Sequence, residues 1–368
     1  MRKLSLILAL LMVTAAVPAK AANDDFSVSA QAAAVIECGT NTVLYAKNEH
    51  EKLPMASTTK VMTALIAIEC GNPDEVFAVC DEAYGVEGSS IYLLKNERNS
   101  LRDLLYGLML RSGNDAAVAI AHKIGGSTEG FVDLMNDKAH EIGAYDTHFA
   151  NPNGLPSDEH YTTAYDLALI CSYAMKNEMF RTIVGTQYYT ADSGEVHRTM
   201  MNKNKLLTQY DGANGIKTGY TKAAGKCLTF SAEREGMSIV GVVLNCPDMF
   251  PDSMKIMDRC FSEYSLYTVV RKGTPVLRTD VDNSDVQTVL VTANDIKVPV
   301  KKSEGISLST RVYARERLSA PLDKGTYGGR LDLYKGDTLI ASCPLVAESS
   351  AEPASFFHHL HTVIQMCL

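Results

Sequence analysis

The sequence predicts an α+β domain, built on a mainly antiparallel sheet flanked by helices, followed by a small all-β domain. Strand-like alternation of apolar residues occurs over 30–46 and again over 213–245, with a block of helical spacing between them. The first and last strands of the sheet therefore come from distant parts of the chain. After residue 275 the chain is rich in Val, Thr and Ser in short alternating segments, which predicts the second domain.

Length and composition agree with a globular protein of this organisation. The chain has 368 residues, of which 46% are hydrophobic, which is enough for one large or two ordinary domains. The charged fraction of 21% argues against disorder, and no interior apolar run is long enough to predict a membrane span. The net charge of −8 argues against nucleic acid as a partner.

Five helices are predicted from the spacing of apolar residues in the first half of the chain. A hairpin over 30–46 precedes them and turns at Cys38-Gly39-Thr40-Asn41. Ser100 and Ser127 are suited to cap two of the helices, because a serine hydroxyl accepts a hydrogen bond from the first helical turn. The predicted helices cover 57–70, 100–110, 115–124, 127–142 and 163–176.

Three strands and a closing helix complete the first domain, and a Glu235-Gly236 turn joins the last two strands. The strands cover 213–220, 226–234 and 237–245, and the helix covers 254–269. We therefore place the first domain at 22–266 and the β-rich domain at 273–350. Turns are predicted in the second domain at Lys324-Gly325 and at Tyr327-Gly328-Gly329.

The N-terminus predicts export. Met1-Arg2-Lys3 is basic, an apolar stretch of signal-peptide length follows, and Ala19-Lys20-Ala21 has the small-x-small pattern of a cleavage site. We expect residues 1–21 to be a signal peptide that is removed. The mature protein is then extracytoplasmic.

The C-terminal segment 353–368 predicts an amphipathic helix. Helical spacing brings its apolar side chains to one face and separates them from His358, His359 and His361. Such a helix suits a membrane surface, and the alternative is a helix docked on the surface of the protein itself. The three histidines lack the spacing of a known metal site.

The nine cysteines predict no metal centre, because none forms a C-x-x-C pair or a zinc-finger spacing. No other pattern indicates a metal or a cofactor, so none is expected. Cys171, Cys227 and Cys246 have apolar neighbours and are interpreted as small buried hydrophobic residues. Disulfide pairing, for example between Cys70 and Cys80, is left open.

Three short motifs occur in order along the first domain, and each fits a catalytic role. They are Ser57-Thr58-Thr59-Lys60, Ser112-Gly113-Asn114 and Lys217-Thr218-Gly219. Each motif alone also fits an ordinary role: a capping serine with a surface lysine, a turn between helices, or a strand end. The ordered set, with every member in a fitting element, is much rarer than any one of them.

The first motif can supply an activated nucleophile. Ser57 opens a predicted helix and Lys60 follows one turn later, so the hydroxyl and the amine share a face. A serine hydroxyl needs a base, and a lysine serves if burial and a neighbouring cation lower its pKa. The free N–H groups of the helix N-terminus can also face a developing oxyanion.

The second and third motifs can bind and protonate a peptide. Ser112 can relay a proton between Lys60 and a leaving amine, and Asn114 can hydrogen-bond a substrate amide. The third motif offers a positive charge at Lys217, a hydroxyl at Thr218 and a close backbone approach at Gly219. These features suit a peptide carboxylate lying along a strand edge.

The motifs resemble those of the superfamily of penicillin-binding proteins and serine β-lactamases. Their surroundings narrow the resemblance to the low-molecular-mass D-alanyl-D-alanine carboxypeptidases, and the similarity runs from about residue 27 to 266. The resemblance implies a β-lactamase/transpeptidase-like fold for the catalytic domain. The segments that carry it are 54–63 (PMASTTKVMT), 110–117 (LRSGNDAA), 147–155 (THFANPNGL), 160–168 (HYTTAYDLA) and 215–221 (GIKTGYT).

The resemblance implies an acyl-enzyme mechanism on peptidoglycan stem peptides at the cell-wall side of the membrane. Ser57 would attack the penultimate D-alanine with Lys60 as base, and β-lactams would acylate the same serine. The other implied roles are proton transfer by Ser112 with Lys217, amide binding by Asn114, carboxylate binding by Thr218, and an oxyanion hole of the Ser57 and Tyr220 N–H groups.

One departure concerns Lys203. Relatives often carry Asn-Arg-Asn before the third motif, whereas this chain has Asn202-Lys203-Asn204. A lysine ammonium is a point charge, whereas an arginine guanidinium can donate two parallel hydrogen bonds to a carboxylate. The role of Lys203 at the substrate carboxylate therefore stays open.

Other activities remain compatible with the sequence. A D,D-endopeptidase that cuts cross-links uses the same bond chemistry. A β-lactamase shares the motifs, although no Glu-x-x-x-Asn pattern that would position a deacylating water lies between the second and third motifs. A non-catalytic wall-binding module is disfavoured because all three motifs are intact.

Overall fold

The computed structural model describes residues 26–192, 196–305, 307–315 and 317–354. The predicted signal peptide 1–21 and nearly all of the predicted helix 353–368 lie outside this part of the chain. The residues form two compact units, one ending at Ser262 and the other beginning at Glu263. Within the described residues, no helix has the length and apolar character needed to cross a membrane.

The first unit contains a five-stranded antiparallel sheet in the order β2-β1-β9-β8-β7. Its strands are β1 Ala32–Glu37, β2 Val43–Lys47, β7 Ala213–Thr221, β8 Gly225–Arg234 and β9 Met237–Leu244. Two short hairpins lie outside it, formed by β3 Val76–Ala78 with β4 Arg98–Ser100 and by β5 Tyr188–Ala191 with β6 Arg198–Met201. The predicted hairpin and the pairing of distant strands β1 and β9 are confirmed.

Eight α-helices are described in the same part of the chain. They are α1 Lys60–Cys70, α2 Leu101–Tyr106, α3 Asn114–Gly125, α4 Thr128–Ile142, α5 Ala164–Ala174, α6 Glu178–Gly185, α7 Leu206–Gln209 and α8 Met249–Glu263. The predicted caps are confirmed: the hydroxyl of Ser100 accepts from Asp103 N at 3.0 Å, and that of Ser127 accepts from Gly130 N at 3.1 Å. The inner faces of α1, α3 and α5 join the sheet in one apolar core, which packs beneath the three sequence motifs.

The predicted closing helix 254–269 was wrong at both ends. The helix begins at Met249, and Pro251 is tolerated there because the first turn needs no N–H donor. It ends at Glu263, and Tyr264–Val270 forms strand β10, paired with β13 Ile296–Lys301. β-branched and aromatic residues suit that pairing. The boundary between the units thus lies before the predicted domain end at 266.

The second unit is all-β, which confirms the predicted class of this region. A six-stranded sheet has the order β14-β16-β17-β12-β11-β15, and β10 and β13 form a separate pair. Its strands are β11 Pro275–Asp282, β12 Gln287–Thr292, β14 Ser309–Ala314, β15 Leu318–Ser319, β16 Tyr327–Lys335 and β17 Thr338–Ala347. The turn predicted at residues 327–329 was wrong, because these residues begin β16. Gly328 allows close packing against Leu290, because a Cβ on Gly328 would lie 2.4 Å from Leu290 Cδ2.

None of the eight cysteines among the described residues forms a disulfide. Cys171, Cys227 and Cys246 are buried, as their apolar neighbours predicted. Cys70 is exposed and unpaired with Cys80. The first unit therefore owes its stability to its core and polar networks, with no disulfide among the residues described.

Candidate active site

Ser57 and Lys60 lie on adjoining helical turns in the first unit. A single 3₁₀ turn, Ala56–Thr59, carries Ser57, and α1 begins directly after it at Lys60. Ala56 is buried and has a φ of 48°, a left-handed conformation that is costly for a residue with a Cβ. The spacing of three residues brings the Lys60 Nζ to 3.0 Å from the Ser57 Oγ.

The Lys60 amine is fully buried and has three oxygen neighbours. Besides the Ser57 hydroxyl, it donates to the Asn114 Oδ1 at 2.7 Å and to the backbone carbonyl of Asn153. An amide oxygen and a carbonyl oxygen can only accept hydrogen bonds. In the neutral amine both N–H groups are therefore used on Asn114 and Asn153, and the lone pair points at the Ser57 hydroxyl.

The electrostatics favour that neutral state. Burial lowers the pKa of Lys60 well below its usual value, and the positive charges of Lys217 and Lys203 lower it further. The carboxylate of Asp115 acts in the opposite direction and is the smallest of these influences. A base for the Ser57 hydroxyl is thus available at Lys60.

The second motif approaches the same amine from another helix. Ser112 is buried and left-handed, with φ 66°, at the end of a π turn Gly107–Arg111. Asn114 begins α3 and so does not lie in the loop that the sequence predicted. Its Nδ2 donates to Glu87 O at 2.6 Å, and its backbone N–H donates to Ser89 O at 2.7 Å. These contacts fix the amide with its oxygen toward Lys60.

A buried carboxylate that the sequence analysis did not select orders the loop in front of this motif. Asp115 accepts hydrogen bonds from the backbone N–H groups of Ile91 and Leu93, at 3.0 and 3.1 Å, and one from the Ser90 hydroxyl. A carboxylate that accepts several bonds in a buried position is well satisfied. Its position directly after Asn114 was the available sequence signal.

The third motif lies on β7, an outer strand of the sheet, as predicted. Lys217 is buried, and its Nζ donates to Thr218 O at 2.9 Å. Burial lowers the pKa of Lys217 to about 7, with a further contribution from the charge of Lys203. Thr218 is half-buried and Tyr220 is exposed, so a ligand along this edge can reach both.

Gly219 places β7 directly against the turn that carries Ser57. A Cβ at this position would lie 3.0 Å from Ser57 N and 3.1 Å from Thr58 N. Any larger residue would push the strand away from the serine. The backbone of β7 beside Tyr220 and the N–H of Ser57 therefore lie close to one another.

Lys203 lies at the edge of the site. Its side chain is exposed, and its Nζ donates to the Ser89 Oγ at 3.2 Å. Its charge lowers the pKa values of Lys60 and Lys217. The structure therefore places Lys203 as an electrostatic neighbour of the two buried lysines.

The segment 151–154 supplies a contact that no motif search for side chains would find. Its contribution is the carbonyl of Asn153, which accepts from Lys60 across 93 residues of sequence. The Asn151 Oδ1 accepts from Gly154 N at 2.7 Å, and the Thr63 hydroxyl donates to Pro152 O at 2.6 Å. These bonds hold the carbonyl over the amine.

We predict that Gly154→Ala destabilises the first unit strongly. Gly154 has a φ of +86°, and a Cβ there would lie 2.0 Å from Ala56 O, against the turn that carries Ser57. The free energy of unfolding should fall by about 2–4 kcal/mol, measured by denaturant unfolding. Gly236→Ala is the matched control, because its φ is +76° but no atom lies within 4 Å, and it should cost about 1 kcal/mol. Equal losses would show that the close approach at Gly154 is unimportant.

A second network missed from the sequence supports the left-handed Ala56. The His160 Nδ1 accepts from Ala150 N at 3.0 Å, so its Nε2 carries the proton and donates to the Thr59 Oγ1 at 2.7 Å. Thr59 in turn donates to Ala56 O at 2.8 Å. Burial lowers the pKa of His160 to about 4, which keeps the ring neutral and this direction of bonding fixed. In the sequence, the available indication of this network was the histidine in the segment 160–168.

Comparison with known proteins agrees with the site. The family model described as D-alanyl-D-alanine carboxypeptidase matches residues 17–248, and that of the penicillin-binding protein 5 C-terminal domain matches residues 264–353. The chain is 32% identical to the D-alanyl-D-alanine carboxypeptidase DacF of Bacillus subtilis, with 97% of this chain and 96% of the relative covered.

Solved structures give the same result. The D-alanyl-D-alanine carboxypeptidase DacD of Francisella tularensis is 28% identical with a TM-score of 0.65, over 92% of this chain and 97% of that one. Penicillin-binding protein 5 of Haemophilus influenzae is 26% identical with a TM-score of 0.70, over 90% and 100%. These matches confirm the predicted fold and resemblance, and the chain belongs to the D-alanyl-D-alanine carboxypeptidase family.

Proposed function

We propose that this protein is a serine-type D-alanyl-D-alanine carboxypeptidase, which removes the terminal D-alanine from peptidoglycan stem peptides and is acylated by β-lactams. The observation that carries the proposal is the buried Lys60 amine, which donates to Asn114 and Asn153 and lies 3.0 Å from the Ser57 Oγ. Family membership agrees with it. The direct test is release of one alanine from a stem peptide that ends in D-alanyl-D-alanine.

The first half of the reaction forms an ester. The Ser57 Oγ attacks the carbonyl carbon of the penultimate D-alanine while its proton moves to the Lys60 Nζ. The negative charge that develops on the carbonyl oxygen is stabilised by the N–H groups of Ser57 and Tyr220, and the close approach of Gly219 to the Ser57 N–H supports this assignment. Asn114 holds the substrate amide, and the peptide lies along the open edge of β7.

The second half of the reaction releases the terminal D-alanine, and water then takes its place. The C–N bond breaks, and the departing nitrogen receives a proton through Ser112 and Lys217. A pKa of about 7 lets Lys217 give and regain a proton near neutral pH. Thr218, with the nearby cations Lys217 and Lys203, binds the terminal carboxylate, and water then hydrolyses the ester at Ser57.

We predict that kcat/KM falls at high pH and that the pH of this fall depends on Lys203. The protonated Lys217 is needed for the substrate carboxylate, so kcat/KM should fall as the pH rises through about 7. Lys203→Gln removes a charge that lowers the pKa of Lys217, so Lys217 keeps its proton to higher pH. The fall in kcat/KM should therefore occur at higher pH in this variant. The control is Lys205→Gln, an exposed neighbour that should leave the pH of this fall unchanged. A fall at the original pH in Lys203→Gln would contradict the coupling.

Two related activities use the same acyl-enzyme. An endopeptidase would cleave cross-linked muropeptides, and comparing cross-linked and uncross-linked substrates by mass spectrometry separates the two reactions. A β-lactamase would need fast hydrolysis of the acyl-enzyme. Between the second and third motifs, no Glu-x-x-x-Asn pattern is present to position a deacylating water. Rapid, continuous nitrocefin hydrolysis would favour the β-lactamase instead.

The location of the protein is also part of the proposal. We infer export through the signal peptide 1–21 and contact with the membrane surface through the helix 353–368, on the cell-wall side. Both inferences rest on the residue patterns of the two ends. Deletion of 353–368 should move the protein from the membrane fraction to the soluble fraction, whereas an unchanged distribution would contradict membrane anchoring.

A further inference from the structure

Cys80, Glu82 and His122 bring together three metal-ligating side chains that the proposed reaction does not use. The Cys80 Sγ, a carboxylate oxygen of Glu82 and a ring nitrogen of His122 all lie within 4.8 Å of one another. Cys80 and Glu82 belong to the 3₁₀ turn around Asp81–Ala83, and His122 lies in the last turn of α3. The packing of these two elements creates the cluster, since no sequence spacing links His122 to the other two.

The imidazole of His122 is oriented as a metal ligand is. Its Nε2 lies 3.3 Å from the Thr128 Oγ1, and its Nδ1 faces Glu82 with 3.8 Å between Nδ1 and the Glu82 Oε2. The longer distance exceeds hydrogen-bond range, so Nδ1 is left for another partner. Metal-bound histidines usually donate the N–H of their other ring nitrogen to an oxygen atom. For His122, the Thr128 Oγ1 is in the position of that oxygen.

The donor set indicates the metal. Thiolate, imidazole and carboxylate together suit zinc, and three protein ligands leave a fourth position for water. A thiolate and a carboxylate neutralise a divalent cation, and the C-terminal end of α3 adds a favourable dipole. Zinc–ligand bonds of about 2.0–2.3 Å require the three atoms to move closer, and the Glu82 side chain, 63% exposed, has room to do so.

We propose that Cys80, Glu82 and His122 form a Zn²⁺ site, with water as the fourth ligand. Binding deprotonates the thiol, so each zinc ion that binds forms one Zn–S bond and releases one proton. The site would join the start of the loop 84–97 to α3, the helix that begins at Asn114.

The test is a titration of the reduced, chelator-free full chain with Co²⁺ as a spectroscopic probe. A thiolate-to-cobalt charge-transfer band should saturate at one equivalent and disappear on addition of Zn²⁺. Cys80→Ser should abolish the band, His122→Ala should weaken binding at least about 100-fold, and Thr128→Val should weaken it about tenfold. Far-UV circular dichroism of each metal-free variant shows whether it is folded.

Cys70→Ser is the matched control, because Cys70 is an exposed thiol that the proposal excludes from the site. Its band should equal that of the unchanged chain, and Zn²⁺ should raise the unfolding midpoint of both proteins but not of Cys80→Ser. A missing band in the unchanged chain would overturn the proposal, and so would a band that survives Cys80→Ser. Both readouts are independent of peptidase activity.

Discussion

Replacing Ser57 with alanine is expected to abolish both release of D-alanine and covalent labelling by β-lactams. The substitution removes the only atom that can form the ester, while the turn Ala56–Thr59 and the Lys60 contacts to Asn114 and Asn153 stay in place. Removing the nucleophile of a comparable hydrolase lowers kcat by about 10⁶-fold, so a loss of at least about 10⁴-fold is expected here. Fluorescent penicillin labelling and peptide hydrolysis measure the two activities.

Ser157→Ala is the control for the nucleophile. Ser157 is exposed in the segment between Gly154 and His160, and its hydroxyl accepts from Glu159 N at 3.3 Å. We expect unchanged labelling and hydrolysis. Labelling that persists in Ser57→Ala, with the fold intact by circular dichroism, would assign the nucleophile to another residue.

Changes at Lys60 are expected to have the second-largest effect. Lys60→Arg keeps a positive charge but cannot become neutral, because arginine holds its proton at every accessible pH. It therefore cannot take the proton of Ser57. The acylation rate should fall by about 10²–10⁴-fold, measured as the second-order rate of β-lactam labelling.

Two further variants separate the base from the charge. Lys60→Met removes both and should be as slow as Lys60→Arg, whereas Lys255→Met, at an exposed lysine that pairs with Asp252, should label at the original rate. If Lys60→Arg labelled normally while Lys60→Met did not, positive charge at this position would suffice. The role of Lys60 as the base would then be refuted.

The parts of the site that the sequence could predict are those set by local geometry. A helical turn brings Ser57 to Lys60, and strand spacing places Lys217, Thr218 and Gly219 on one edge. The hairpin of strands β8 and β9 was also predicted, with its turn at Glu235-Gly236. Both residues adopt the positive φ of a hairpin turn.

The remaining contacts depend on packing between distant segments. The carbonyl of Asn153 could not be found from side-chain motifs, because every residue has a carbonyl group and only the fold determines which one meets Lys60. Strand Tyr264–Val270 was assigned to a helix because its apolar residues continue the pattern of α8. Its partner, Ile296–Lys301, comes about thirty residues later and leaves no local signal.

The most direct test of the central claim is mass spectrometry of a pentapeptide stem ending in D-alanyl-D-alanine after incubation with the purified protein. We predict that the peptide loses one alanine and that the intact protein carries a transient acyl group on Ser57. The loss should require both Ser57 and Lys60. A stem peptide that remains intact while cross-linked muropeptides are cleaved, or release of alanine by Ser57→Ala, would contradict the account.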